Sequence, residues 1–155
     1  MSSMMRIVLV EDSPRDAQLT LNALKEYKLA NEVVTLRDGA EALDYLFRRG
    51  EFAARGEGEP ALVLLDLKMP KVDGLEVLRE IKADARLKVI PVVVMTSSRE
   101  EKDLAAAYQL GVNAYVVKPV KFQDFVEAVR RLGVFWALIN EPPPGSLRKA
   151  KDERH

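Results

Sequence analysis

The sequence predicts one α/β domain: a five-stranded parallel sheet with helices on both faces. Three observations predict it. Five apolar runs of strand length recur along the chain. Between them lie stretches whose apolar residues repeat at helical spacing. The strands are continuously apolar rather than alternating, as expected of strands buried on both faces.

The elements follow in order. "RIVLV", Arg6 to Val10, is a β-branched apolar run and reads as a buried strand. Ser13 and Pro14 open a helix: Ser caps, Pro suits the first turn, and Asp16 stands three residues after Ser13 as a short capping-box partner. Leu21 and Leu24 line its inner face, beside Ala17 and Thr20. "EVVTL", Glu32 to Leu36, is the second strand, and Asp38 to Arg49 the second helix, with Ala42, Leu43 and Leu46 inward. Gly50 to Pro60 is rich in Gly and Glu and predicts a long exposed loop.

The third strand is "ALVLLDL", Ala61 to Leu67, followed by a turn at Asp73-Gly74 and a helix over Gly74 to Asp84. The fourth strand is Ile90 to Ser97, and its helix, Arg99 to Gly111, stops at a glycine. The fifth strand is Ala114 to Pro119. A last helix runs from Phe122 towards Ile139, where "EPPPG" stops it. The domain is therefore expected over 6–139, with a Pro-rich, charged tail over 140–155 that is too polar to fold.

Composition narrows the function. Lys plus Arg, 24, equals Asp plus Glu, 24, so no net charge favours nucleic acid or membrane surfaces. There is no cysteine, which excludes disulfides and thiolate metal sites and fits the cytoplasm. The one histidine is His155, which speaks against Ser-His or Cys-His catalysis and His-ligated metals. The start, "MSSMMRIVLVEDS", is no signal peptide, and no apolar run reaches membrane-spanning length.

In open parallel sheets, ligands bind beyond the carboxyl ends of the strands. Strand one ends in Glu11 and Asp12, strand three in Asp66, strand four in Thr96 and Ser97, and strand five in Lys118. Each has a bland reading alone: a helix-leading acid pair, a turn cap, a helix cap, a solvated lysine. Four such coincidences on one sheet edge are hard to hold together. Three carboxylates in one place repel each other unless a cation joins them. With oxygen ligands alone, that cation is hard, Mg²⁺ before softer metals. Thr96 can donate to a phosphoryl oxygen, Lys118 can neutralise one, and a carboxylate can act as nucleophile to become an aspartyl phosphate.

"LVEDS", "LLDLKMPKVDG", "VVVMTSS" and "AYVVKP" resemble the receiver domain of two-component response regulators, roughly over Arg6 to Leu132. The resemblance implies a flavodoxin-like doubly wound (βα)5 fold, strand order 2-1-3-4-5. It implies that Asp66 is the phosphoacceptor. Glu11, Asp12, Asp66 and the Lys68 carbonyl would hold Mg²⁺ or Mn²⁺. Thr96 would be the switch hydroxyl, Tyr115 the switch aromatic and Lys118 the phosphate partner, with a cis bond between Lys118 and Pro119. Ser97 departs from the family, which usually has Ala there. The "RRGEFAARGEGEP" loop, "KVIPVVVMTSS" and the "FWALI" ending are similar to stand-alone receivers paired with phytochrome-type histidine kinases, and such a kinase is the implied phosphodonor.

"VFWALI", Val134 to Ile139, is six apolar residues in a row, which a helix must bury on every side. A fold-back of Pro142 to Pro144 over Trp136 is one cover. A homodimer through Phe135, Trp136 and Ile139 and neighbouring elements is the sharper one. With no DNA-binding module after strand five, output is expected through protein partners. Two rivals stand beside this reading. A Mg²⁺-dependent aspartyl-phosphate phosphatase of the haloacid dehalogenase type places a second Asp two residues after its nucleophile, where this chain has Lys68. A phosphorylation-independent pseudo-receiver has no need of the full Glu11, Asp12, Asp66, Thr96 and Lys118 set.

Overall fold

The computed structural model describes residues 6–26, 32–56, 58–69, 72–96, 101–112, 114–118 and 120–132. The strands are β1 (Arg6–Val10), β2 (Glu32–Leu36), β3 (Leu62–Asp66), β4 (Val92–Thr96) and β5 (Tyr115–Val117). The helices are α1 (Pro14–Glu26), α2 (Gly39–Phe47), α3 (Gly74–Ala83), α4 (Glu101–Gln109) and α5 (Phe122–Leu132). All strands run parallel in the order β2-β1-β3-β4-β5, as expected. Among the described residues, no helix is long and apolar enough to cross a membrane.

Strand side chains alternate between two cores, one on each face. Val8, Val10, Val63 and Leu65 pack with Leu43 and Leu46 of α2 and with Val77, Leu78 and Ile81 of α3. Ile7, Leu9, Leu64 and Met95 pack on the other face with Ala17 and Leu24 of α1 and Phe125 and Ala128 of α5. The residues placed inward from the sequence on α1 and α2 are thus in contact with the sheet. Strand ends fall short of the apolar runs because burial outlasts hydrogen bonding. Leu67 and Ile90 stay buried outside their strands.

Two corrections concern local structure. The Ser13 hydroxyl accepts from the Asp16 amide at 3.2 Å, so the forward half of the cap forms. The reciprocal half does not: the Ser13 amide donates to Glu11 Oε2 at 3.2 Å, and the Asp16 carboxylate goes elsewhere. The Gly50–Pro60 segment is also not simply an exposed loop. It begins with a short 3-10 turn, Gly50–Phe52, and the Phe52 ring meets Tyr45 edge-on at 5.2 Å. Arg55 lies over the Tyr45 ring and donates to the Tyr45 carbonyl at 2.7 Å, while Arg86 donates to the Leu46 carbonyl at 3.1 Å. These guanidiniums satisfy carbonyls at the carboxyl end of α2, and Arg48, Arg55 and Arg86 converge on Glu59.

The end expected for the last helix, Ile139, and the tail over 140–155 lie outside the described residues, as do Phe135 and Trp136. Helix α4 ends at Gln109, two residues short of the expected Gly111, which takes the left-handed stop just beyond it with a φ of 101°.

Gly74 fixes the turn after β3. Its amide donates to the Leu67 carbonyl at 2.9 Å. A Cβ there would stand 2.2 Å from the Asp66 carbonyl oxygen and 2.6 Å from Leu67 Cα. Both are backbone atoms and cannot step aside. Gly74→Ala is therefore expected to destabilise the fold by about 2 to 3 kcal/mol in urea unfolding. Gly56→Ala, where an added Cβ meets nothing within 4 Å, is expected within about 0.5 kcal/mol of the parent.

Candidate functional site

The chain winds from β1 out to β2, then crosses back to place β3 on the other side of β1. Winding reverses between β1 and β3, and their carboxyl ends carry the acidic residues. Leu9 pairs with Leu64 and Val10 with Leu65, so Glu11 and Asp66 leave the sheet side by side. The Glu11 amide donates to the Leu36 carbonyl at 2.9 Å, which fixes the exit of β1 against β2.

Glu11 and Asp66 are each only 2% exposed, whereas Asp12 faces solvent. Carboxylate oxygens of Glu11, Asp12 and Asp66 all lie within 4.8 Å of one another. Buried carboxylates need partners. Asp66 Oδ1 accepts from the Lys68 amide at 3.2 Å. Lys118, one residue past β5, reaches across β4 to the same place. Its Nζ lies 3.1 and 3.2 Å from the two Glu11 oxygens and 3.1 Å from Asp66 Oδ2. It also pairs with Asp16 Oδ2 at 3.0 Å, from the first turn of α1.

Three carboxylates thus face one ammonium and Asp12 stands beside them, an excess of negative charge. Burial first, and then the Asp66 charge, push the Glu11 carboxyl up to about 7 against the pull of Lys118. Burial alone would lower the Lys118 ammonium, but Asp16, Asp66 and Glu11 outweigh it and hold Lys118 above its ordinary value. Hard oxygen donors, an uncompensated charge and an exposed Asp12 at the mouth suit a small divalent cation. The acidic residues present fit such an ion.

Of the site residues expected from sequence, the structure brings together Glu11, Asp12, Asp66 and Lys118. The Lys68 amide joins them. Thr96 ends β4 with its backbone paired to Val117, but its side chain, Ser97 and Pro119, where a cis bond was expected, lie outside what is described. Tyr115 is half-buried, packs on the α2–α3 core and meets Tyr108 of α4 edge-on at 6.4 Å. Asp16 as a Lys118 partner was missed. The usable signal was an acid in the first turn of a helix that starts at the site edge. Tyr108 was missed as well; its spacing on α4 marks a helix face and nothing more.

The model of the response regulator receiver domain matches residues 7–130. The chain belongs to the response regulator receiver family. Among solved structures, the bacteriophytochrome response regulator AtBRR is 61% identical with a TM-score of 0.83, covering 90% of this chain and 100% of that one. The bacteriophytochrome response regulator RtBRR is 58% identical at a TM-score of 0.81, covering 97% and 91%. Response regulator Rcp1 of Synechocystis is 44% identical over 130 residues, 84% of this chain and 87% of Rcp1. A Mn²⁺-bound structure of Rcp1 superposes with a TM-score of 0.72 at 42% identity, covering 91% of this chain and 99% of that one. This receiver is thus related to the regulators of phytochrome-linked two-component signalling.

The raised Glu11 has a measurable consequence. The folded receiver holds the Glu11 proton up to about pH 7, the unfolded chain only to about 4.5. Glu11 therefore costs no stability below the lower value; its cost accrues as pH rises between the two values and is complete once pH has passed the upper one. The cost at pH 8 is on the order of 2 to 3 kcal/mol. In a chelator, thermal melts are expected to show Tm falling from pH 5 to pH 8, and Glu11→Gln should flatten that fall. A variant profile parallel to the parent would contradict the assignment.

Proposed function

We propose that this receiver accepts a phosphoryl group on Asp66 from a histidine kinase and signals through protein partners. The carrying observation is the buried Asp66 carboxylate, held between the Lys68 amide and the Lys118 ammonium inside an acidic trio. A carboxylate so fixed is a positioned nucleophile. An Asp66 oxygen attacks the phosphorus of the kinase phosphohistidine. The O–P bond forms, the N–P bond breaks, and the imidazole keeps the electron pair and takes up a proton.

Glu11, Asp12, Asp66 and the Lys68 carbonyl are the groups that would hold Mg²⁺ or Mn²⁺. Such an ion supplies charge that offsets the repulsion between these carboxylates and the phosphoryl oxygens. Lys118 supplies the resident positive charge. Thr96 is the hydroxyl that follows the new phosphoryl group, and Tyr115 the aromatic that reports it through the α4–β5 surface. The kinase is of the phytochrome type, a reading supported by the 58% and 61% identity to bacteriophytochrome regulators. Its phosphoryl comes from ATP, so the exchange is cytoplasmic.

The domain runs over 6–139 and the tail over 140–155. The apolar "VFWALI" stretch, with Phe135, Trp136 and Ile139, pairs two copies. Output passes through that pairing or a further protein, without nucleic acid.

Two measurements test these statements. Treatment with acetyl phosphate and Mg²⁺ is expected to add one phosphoryl group by intact mass, and Asp66→Asn to add none. A parent without an adduct, or an undiminished adduct on Asp66→Asn, would return the reading to a pseudo-receiver or to a different acceptor. For assembly, size-exclusion chromatography with light scattering should find the intact chain dimeric and a chain cut after Gly133 monomeric. Equal masses relative to chain length would remove the last helix from the interface.

A further inference from the structure

Lys118 has three ammonium protons and three carboxylate neighbours, Glu11, Asp66 and Asp16. Its donors are therefore fully engaged. Glu11 and Asp66 belong to the acidic trio, but Asp16 does not. Asp16 is held in place by its own backbone. The Ser13 hydroxyl accepts from its amide, and the buried Thr20 hydroxyl donates to its carbonyl at 3.0 Å. The Asp16 side chain is a third exposed, at the outer side of the ammonium.

We infer that Asp16 is a restraint on Lys118, competing with the Asp66-bound phosphoryl group for the ammonium and setting how strongly that group is held. The inference rests on the phosphoacceptor reading above. Once Asp66 carries the phosphoryl group as an acyl phosphate, its oxygen becomes a weak acceptor, and the Lys118 proton it held turns to the phosphoryl oxygens. Glu11 would have a bound divalent cation to share. Asp16 gains no new partner and keeps its proton on Lys118. It also adds a like charge near the phosphoryl dianion. Removing the Asp16 charge frees one donor and one repulsion together, both in favour of the phosphoryl state. An acid in the first turn of α1 also favours that helix; that role alone moves stability and leaves phosphoryl affinity untouched.

The probe is beryllofluoride, a stable phosphoryl mimic, titrated calorimetrically into the full chain at saturating Mg²⁺. Asp16→Asn is expected to bind it roughly two- to fivefold more tightly, the scale of one partly exposed ion pair. Asp16→Glu, which restores the charge, should return towards the parent. Unchanged or weaker binding by Asp16→Asn, or Asp16→Glu behaving like Asp16→Asn, would overturn the inference while leaving Asp66 phosphorylation intact. A parent that binds no beryllofluoride would overturn both. Thermal melts of each variant separate a folding loss from an affinity change.

Discussion

The site depends on one ammonium. Lys118 ties β5 to β1 and β3 and to the first turn of α1 through Glu11, Asp66 and Asp16. Without it, Glu11 and Asp66 would be two carboxylates at 2% exposure with no positive neighbour among the described residues. An uncompensated buried charge costs several kcal/mol. The pair would then take up a proton or admit water. With Lys118 present both stay in place, and Glu11 still sits near the edge of protonation at about 7. The site is strained towards accepting positive charge, whether a proton or a metal ion.

The fold makes that concentration of charge tolerable. The two cores fill both faces of the sheet and fix β1 and β3 in register. Their carboxyl ends then have little freedom to splay apart under repulsion. Gly74 closes the β3 turn so tightly that no side chain fits between α3 and the Asp66 backbone. Amide groups lean on the charges as well, Ser13 on Glu11 and Lys68 on Asp66. At the opposite edge the sign is inverted. Arg48, Arg55 and Arg86 gather around Glu59 near the carboxyl end of α2, where positive charge suits the helix dipole. The two edges carry opposite excess charge although the chain carries none overall.

Much of this was legible in the sequence because burial and strand period leave direct marks. The short, β-branched apolar runs "RIVLV" and "ALVLLDL" read as strands buried on both faces, and their ends bracket Glu11 and Asp66. The parts that were not legible are long-range polar pairings. Glu59 looked exposed among glycines, yet one of its partners, Arg86, lies 27 positions on and cannot be read from local composition. Asp16 fitted a capping box by spacing, but the Ser13 amide is already held by Glu11. With Lys118 within 3.0 Å, the carboxylate took the charged partner. Spacing predicts which backbone groups are near; it does not predict which of two acceptors wins.

That competition also explains why lysine suits position 118. Three carboxylates approach from three different elements, so the donor must point in three directions at once. An ammonium is compact and tetrahedral and gives one proton to each. A guanidinium is planar, and its paired donors favour a single carboxylate held bidentately. It would hold Glu11 or Asp66 well and leave the others short of partners. An ammonium can also trade one partner while keeping two, because each contact is a separate proton. A site whose central carboxylate changes its chemistry needs that property more than it needs the strongest single ion pair.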